Sequence, residues 1–145
     1  MQIKKIIVGG LGIFVVALIG AQLVPLQRTN PPVVQDIPTP LEVKAILKAS
    51  CYDCHSNETV WPWYSKLAPV SWLVSNDTIE GRQRLNFSTW NQYIPEQQAE
   101  LVASCMKRIR RGSMPPWFYT IKHATGKISP EKLAILEAWA ASYPK

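Results

Sequence analysis

Residues 41–56, LEVKAILKASCYDCHS, decide how this 145-residue chain is read. Val43, Ile46 and Leu47 fall on one face at helical spacing, and the helix they predict runs directly into Cys51-Tyr52-Asp53-Cys54-His55. Two thiols three positions apart lie on the same side of a helical turn, and an imidazole follows at once. Each thiol can therefore add to one vinyl group of a single porphyrin, while the His55 ring lies beneath the iron. C-x-x-C-H is the spacing associated with c-type haem attachment. The expected cofactor is one covalent haem c, fixed through Cys51 and Cys54 with His55 as an iron ligand.

Other uses of two cysteines explain less of this string. A disulfide, or two buried small apolar residues, leaves the adjacent histidine without a reason. A thioredoxin-like pair wants a preceding strand in a βαβ setting, and no alternating strand pattern occurs in the chain. Zinc is the stronger rival, because Cys51, Cys54, Cys105 and either His55 or His123 could supply four ligands. Cys105 stands on the apolar stripe of a later helix, where an inert packed thiol is expected.

Working back toward the N-terminus, Thr39-Pro40-Leu41-Glu42 reads as a helix start, with Thr39 as cap, Pro40 in the first turn and Glu42 closing a capping box. Pro25, Pro31, Pro32, Pro38 and Pro40 crowd the preceding stretch, which reads as an extended spacer. Before it, Ile6 to Val24 is an apolar run of nineteen residues broken only by Gln22, with Lys4 and Lys5 in front. About twenty residues span a bilayer, whereas a signal-peptide core is shorter and ends at a small-x-small site, where this run offers Ile19 and Ala21. An uncleaved anchor is favoured over a cleaved signal. The lysines hold the short N-terminal side in the cytoplasm and put the remainder across the membrane. The expected organisation is thus 1–25 anchor or signal segment, 26–39 proline-rich linker and 40–145 haem-binding domain.

Toward the C-terminus, Asn57 to Tyr93 is irregular and rich in aromatics. A short helix is expected around Pro69–Ser75, with Asn76-Asp77 and Gly81 as turn residues. Trp61, Trp63, Tyr64 and Trp72 are candidate walls for a porphyrin, and Arg82 and Arg84 candidate partners for its propionates. A longer helix runs from Pro95 to about Arg111, striped by Leu101, Val102, Cys105 and Ile109 and closed by Gly112. A last helix starts at Ser129-Pro130, with Leu133, Leu136 and Ala140 on one side. Between these helices, Gly112-Ser113-Met114-Pro115-Pro116 holds the preferred sixth ligand, Met114, whose thioether would raise the potential of the iron. Met106 lies off the stripe and looks less available; His123 competes, and an open sixth position is the third possibility.

A formal charge of +6, of which Lys4 and Lys5 supply two, gives nucleic-acid binding little support. The one dense cluster, Lys107, Arg108, Arg110 and Arg111, ends a helix where cations complement the dipole, and it can also help dock an acidic redox partner.

Cys51 to Asn57, Trp61-Pro62-Trp63-Tyr64, Pro69 to Trp72, Gly81-Arg82, Leu85 to Trp90, Gly112 to Pro116 and the Ser129 to Trp139 helix together resemble a bacterial family of small exported haem-binding domains. The resemblance covers roughly Leu41 to the C-terminus. It implies an all-α, cytochrome c-like domain around one haem, with thioethers at Cys51 and Cys54 and the proximal ligand at His55, and it adds support for Met114. It names no substrate or partner. The function expected is one-electron transfer at the outer, periplasmic face of the bacterial inner membrane, with a redox protein as partner. The alternatives are a haem sensor or peroxidase-like protein with an open or labile sixth position, and a zinc-binding structural domain.

Overall fold

Helix boundaries follow the residues that start and stop them. The computed structural model describes residues 2–143 and, among these, contains helices and no strand. The helices are α1 Gln2–Gln22, α2 Leu41–Ser50, α3 Tyr52–His55, α4 Val70–Arg84, α5 Pro95–Arg110, α6 Trp117–Lys122 and α7 Pro130–Ala141. Short 3-10 turns occur at Trp63–Lys66, Trp90–Gln92 and Ala124–Gly126. The all-α expectation holds. Ser129 caps α7 by accepting from the Lys132 N–H at 3.3 Å, with Pro130 in the first turn. Gly112, at φ 68°, ends α5 in the left-handed conformation that glycine adopts without steric cost.

The described chain divides into two compact units. The first joins the segment up to Arg28 with Trp61–Asp77. Its α1 is 21 residues long, buries none of them and is apolar enough to cross a membrane. The second comprises Thr29–Val60 and the chain from Thr78 onward. Its core gathers Ile37, Val43, Leu47, Tyr52, Phe87, Trp90, Val102, Met106 and Leu136, all nearly fully buried. Each such apolar side chain contributes about 1.5–3 kcal/mol on leaving water. Helix α2 packs on α3 and α7, and α5 packs on α7. Trp90 is enclosed, yet its indole N–H still donates to the Tyr143 hydroxyl at 2.9 Å.

Several expectations are corrected. Thr39 does not cap α2: its Oγ1 has no hydrogen-bond partner, and Pro40 takes the cap position, its carbonyl accepting from Lys44 at 2.9 Å. The helix expected to stop at Ser75 continues to Arg84, carrying Asn76, Asp77 and Gly81 inside it. A glycine inside a helix costs about 1 kcal/mol relative to alanine, so tertiary packing must offset it, and the site below shows how. Met106 belongs to the core at 3% exposure, one turn beyond Val102, rather than off the stripe.

The stretch expected as a spacer is, from Thr29 onward, part of the second unit. Val34, Gln35 and Ile37 donate backbone hydrogen bonds to Ser88 and Phe87, Gln35 bridges Thr89 in parallel, and Ile37 is 1% exposed. Proline spacing gives the extended conformation here, and docking of Ile37 decides its use. Asp36 fastens the strap. Its carboxylate accepts from the Tyr52 hydroxyl at 2.6 Å, the Ile37 N–H at 2.9 Å and Lys44 Nζ at 2.7 Å.

Partial burial raises the Asp36 pKa, but hydrogen bonds from Lys44 and Tyr52, the Lys44 charge and the Ile37 N–H together outweigh it, so the net shift is downward. A depressed carboxylate stabilises the fold above its unfolded pKa of about 4, and that contribution fades as pH falls below it. Urea midpoints should therefore drop on acidification below about pH 4 in the native chain. The Asp36→Asn variant should lose most of that dependence, starting from a lower midpoint at neutral pH.

Candidate haem site

Cys51 breaks the path of the chain between α2 and α3. Its backbone, at φ −133° and ψ −35°, is not helical, and its carbonyl accepts from both Cys54 at 3.2 Å and His55 at 2.9 Å. One tight turn thus holds Cys51, Cys54 and His55 on neighbouring positions, as the spacing predicts.

The ring of His55 is fixed from behind. Nδ1 lies 3.0 Å from the Gly81 carbonyl oxygen and 3.1 Å from that of Leu85, both on or just past the end of α4. Carbonyl oxygens only accept, so Nδ1 carries the proton and the lone pair is on Nε2, the nitrogen free to ligate a metal. This is the arrangement by which a ligating histidine is usually oriented. Phe87 meets the ring edge-on at 6.4 Å. Burial pushes the His55 pKa down, opposed by the two carbonyls and reinforced by the Arg108 charge, and the net result favours the neutral imidazole that a ligand must be.

Gly81 makes that geometry possible. A Cβ there would run into the Cys54 carbonyl oxygen and stand 3.2 Å from the Cys54 Cβ. Helix α4 can bring its carbonyls to His55 only because this position has no side chain. Gly126 does the same on another side, where a Cβ would meet the Ala49 carbonyl oxygen at 2.7 Å and the Tyr119 ring at 2.8 Å.

Both residues between the cysteines are structural. Tyr52 is 3% exposed, stacks on Phe87 at 5.3 Å and hydrogen-bonds Asp36. Asp53 accepts from the Val60 N–H at 3.0 Å and the Tyr119 hydroxyl at 2.9 Å. Its backbone carbonyl accepts from Thr59 Oγ1 at 2.7 Å.

Cys51, Cys54 and Cys105 form no disulfide. Burial, then the proximity of Cys105 and Cys54, raises the Cys51 pKa strongly, and burial pushes Cys105 up to about 11 despite Arg108. These are protonated thiols at neutral pH rather than thiolates poised for exchange. Among the described residues, no three His, Cys, Asp or Glu side chains converge as a metal-binding group.

The remaining candidates sort as follows. Met114 is half-buried in the loop between α5 and α6, three residues before a helix whose Tyr119 is bonded to the motif through Asp53 and the Ala49 carbonyl. His123 stacks on Tyr119 at 4.2 Å, with its Nδ1 4.0 Å from the Asp53 carboxylate. Arg82 is committed within its own unit, donating to the Ser56 and Thr29 carbonyls, Asn30 Oδ1 and Thr59 Oγ1 at 2.7–2.9 Å. It is therefore not spare for propionates, and Arg84 pairs with Glu80 at 3.3 Å. Trp61, Trp63, Tyr64 and Trp72 fall in the first unit; within the second, Phe87 stacks on Tyr52, Tyr119 bonds Asp53, and Trp90 and Tyr93 extend the Phe87 cluster.

Sequence reading gave Gly81 and Arg108 other roles, as a turn residue and as part of a basic helix end, and did not single out Gly126 or Tyr119.

The donor set suits haem: a neutral imidazole with Nε2 free beside two thiols on one turn. Comparison agrees, since a family model described as a haem-binding domain matches residues 16–142. No curated protein and no solved structure matches the chain significantly.

Proposed function

The chain belongs to the haem-binding domain family, and from that premise we propose that it is a monohaem c-type cytochrome domain. Anchored by α1 in the bacterial inner membrane, it passes single electrons at the outer, periplasmic face. The observation that carries this reading is the His55 ring, directly after a Cys-x-x-Cys turn, whose Nδ1 proton is shared by the Gly81 and Leu85 carbonyls. Cys51 and Cys54 would hold the porphyrin as thioethers, and His55 and Met114 would ligate its iron. When bound, the iron supplies a reversible ferric–ferrous couple.

The protein's own contribution is orientation and charge. Gly81 and Leu85 fix the ring and its tautomer, and Phe87 restricts its rotation. The positive charge of Arg108, felt at His55, favours the reduced state. Two protein ligands leave no position for a substrate, which fits a carrier exchanging electrons with a redox protein better than an enzyme.

A pyridine haemochrome spectrum of protein made with c-type maturation machinery, together with haem staining on a denaturing gel, tests the reading. Haem retained through denaturation is expected; its loss would sink the covalent claim, and a colourless protein the haem claim. The Met114→Ala variant should show a lowered midpoint potential and new binding of carbon monoxide, measured by redox titration and absorption spectroscopy. Carbon monoxide or peroxide binding by the unaltered protein would instead favour the sensor or peroxidase alternative.

A further inference from the structure

Within the first unit, one short segment has its polar and apolar residues the wrong way round for water. Ser65, Ser71 and Ser75 are 0%, 3% and 3% exposed, whereas Trp63, Leu67 and Leu73 are 72%, 50% and 52% exposed, with Val70 and Trp72 exposed between them. A single exposed apolar side chain is ordinary, but five within eleven residues is a density of exposed apolar surface that water disfavours. The buried serines are satisfied: Ser65 Oγ donates to the Pro62 carbonyl at 2.6 Å and Ser75 Oγ to the Gln27 carbonyl at 2.9 Å. The inverted pattern is thus built into the local hydrogen bonding.

A second, independent observation says what covers the patch. The segment is bonded to the polar end of α1. Gln22 and Ala68 exchange two hydrogen bonds, at 3.1 and 3.4 Å, and Arg28 donates to the Ser65 carbonyl at 2.7 Å. Gln22 is the last residue of the one helix, among the described residues, that is apolar enough to span a bilayer. The patch therefore stands at the level where that helix leaves hydrocarbon, the zone in which tryptophan rings are enriched and lysine stems reach headgroups; Lys66 is exposed there too.

We propose that Trp63–Leu73 is an interfacial belt that seats in the lipid headgroup zone around the emerging end of α1. The inference rests on the anchor reading above. It makes the loop after the haem motif a membrane contact rather than a porphyrin wall.

The test reconstitutes the full chain, haem attached, into phosphatidylcholine and phosphatidylglycerol liposomes whose acyl chains are either plain or brominated near the headgroup. Tryptophan emission is compared between the two lipids, so quenching by haem cancels. Bromine-dependent quenching is expected in the native chain, most of it lost in the Trp63→Phe/Trp72→Phe variant and little changed in Trp117→Phe, a residue of the second unit that is equally exposed at 73%. Unchanged quenching in the double variant, or an equal loss in Trp117→Phe, would overturn the belt. Carbonate extraction of the same liposomes separates the two readings. Protein released by carbonate removes the anchor and the belt with it, whereas resistant protein without bromine quenching leaves the anchor standing and assigns the patch to a protein partner instead.

Discussion

A chain carrying Cys51→Ala and Cys54→Ala together is expected to lose all haem that survives denaturation, while each single variant keeps one thioether and a weaker stain. The two thiols occupy one turn organised by the Cys51 carbonyl, and no other cysteine lies on that turn. Cys105 packs against the core from α5 and belongs to a different element. It should not rescue the double variant, and Cys105→Ala should stain as the native chain does. The imidazole of His55 remains in the double variant with Nδ1 still held, so reversibly bound haem should persist in the native state and depart on the gel. Stability should fall as well. A domain of roughly 105 residues buries limited surface by itself, and on the proposed reading a covalent apolar cofactor would add to its core. Thermal melts of the two proteins, followed by far-ultraviolet circular dichroism, provide that comparison.

The second large effect is expected from Gly81→Ala. One methyl group placed against the Cys54 carbonyl must push α4 away from α3, because the clash is with backbone and not with the end of a flexible side chain. Overpacking of this kind costs about 1–3 kcal/mol, and loss of the His55 hydrogen bonds adds about 1 kcal/mol more. Gly112→Ala is the informative comparison. Gly112 has open space around it and a φ of 68°, so alanine there meets backbone strain alone, of about 1 kcal/mol. Urea unfolding should rank Gly81→Ala as clearly the more damaging. Only Gly81→Ala should also alter the haem spectrum, since it alone reorients the imidazole. Equal effects would mean that the contact between α3 and α4 yields more easily than its geometry implies.

Features that depend on local chemistry were legible in the sequence. Cys51, Cys54 and His55 declare their spacing in five residues. Ser129-Pro130 and Gly112 announce helix ends through rules that need only the neighbouring backbone. Features that depend on a distant partner were not. Gly81 reads as a turn because a lone glycine after Asn76-Asp77 carries turn statistics, and only the Cys54 carbonyl, twenty-seven positions away, gives it another purpose. Ile37 sits among prolines that spell a spacer, and nothing nearby reveals that Phe87 and Ser88 accept hydrogen bonds from its segment. The aromatic residues were counted correctly and assigned by proximity to the motif. Phe87 and Trp90 reach it through the fold, and Trp63 and Trp72, though nearer in sequence, belong to the other unit.

The docked strap changes where this protein can be cut. A soluble fragment begun at Pro40, the boundary that composition suggests, would remove the carboxylate that receives the Tyr52 hydroxyl and the side chain that fills the Ile37 position in the core. It would also strip the Arg82 guanidinium of its acceptors at Thr29 and Asn30. The shortest piece that keeps the Cys51–His55 turn supported as in the whole chain starts at Thr29. Eleven residues that look like packaging are, in practice, part of what holds that turn in place.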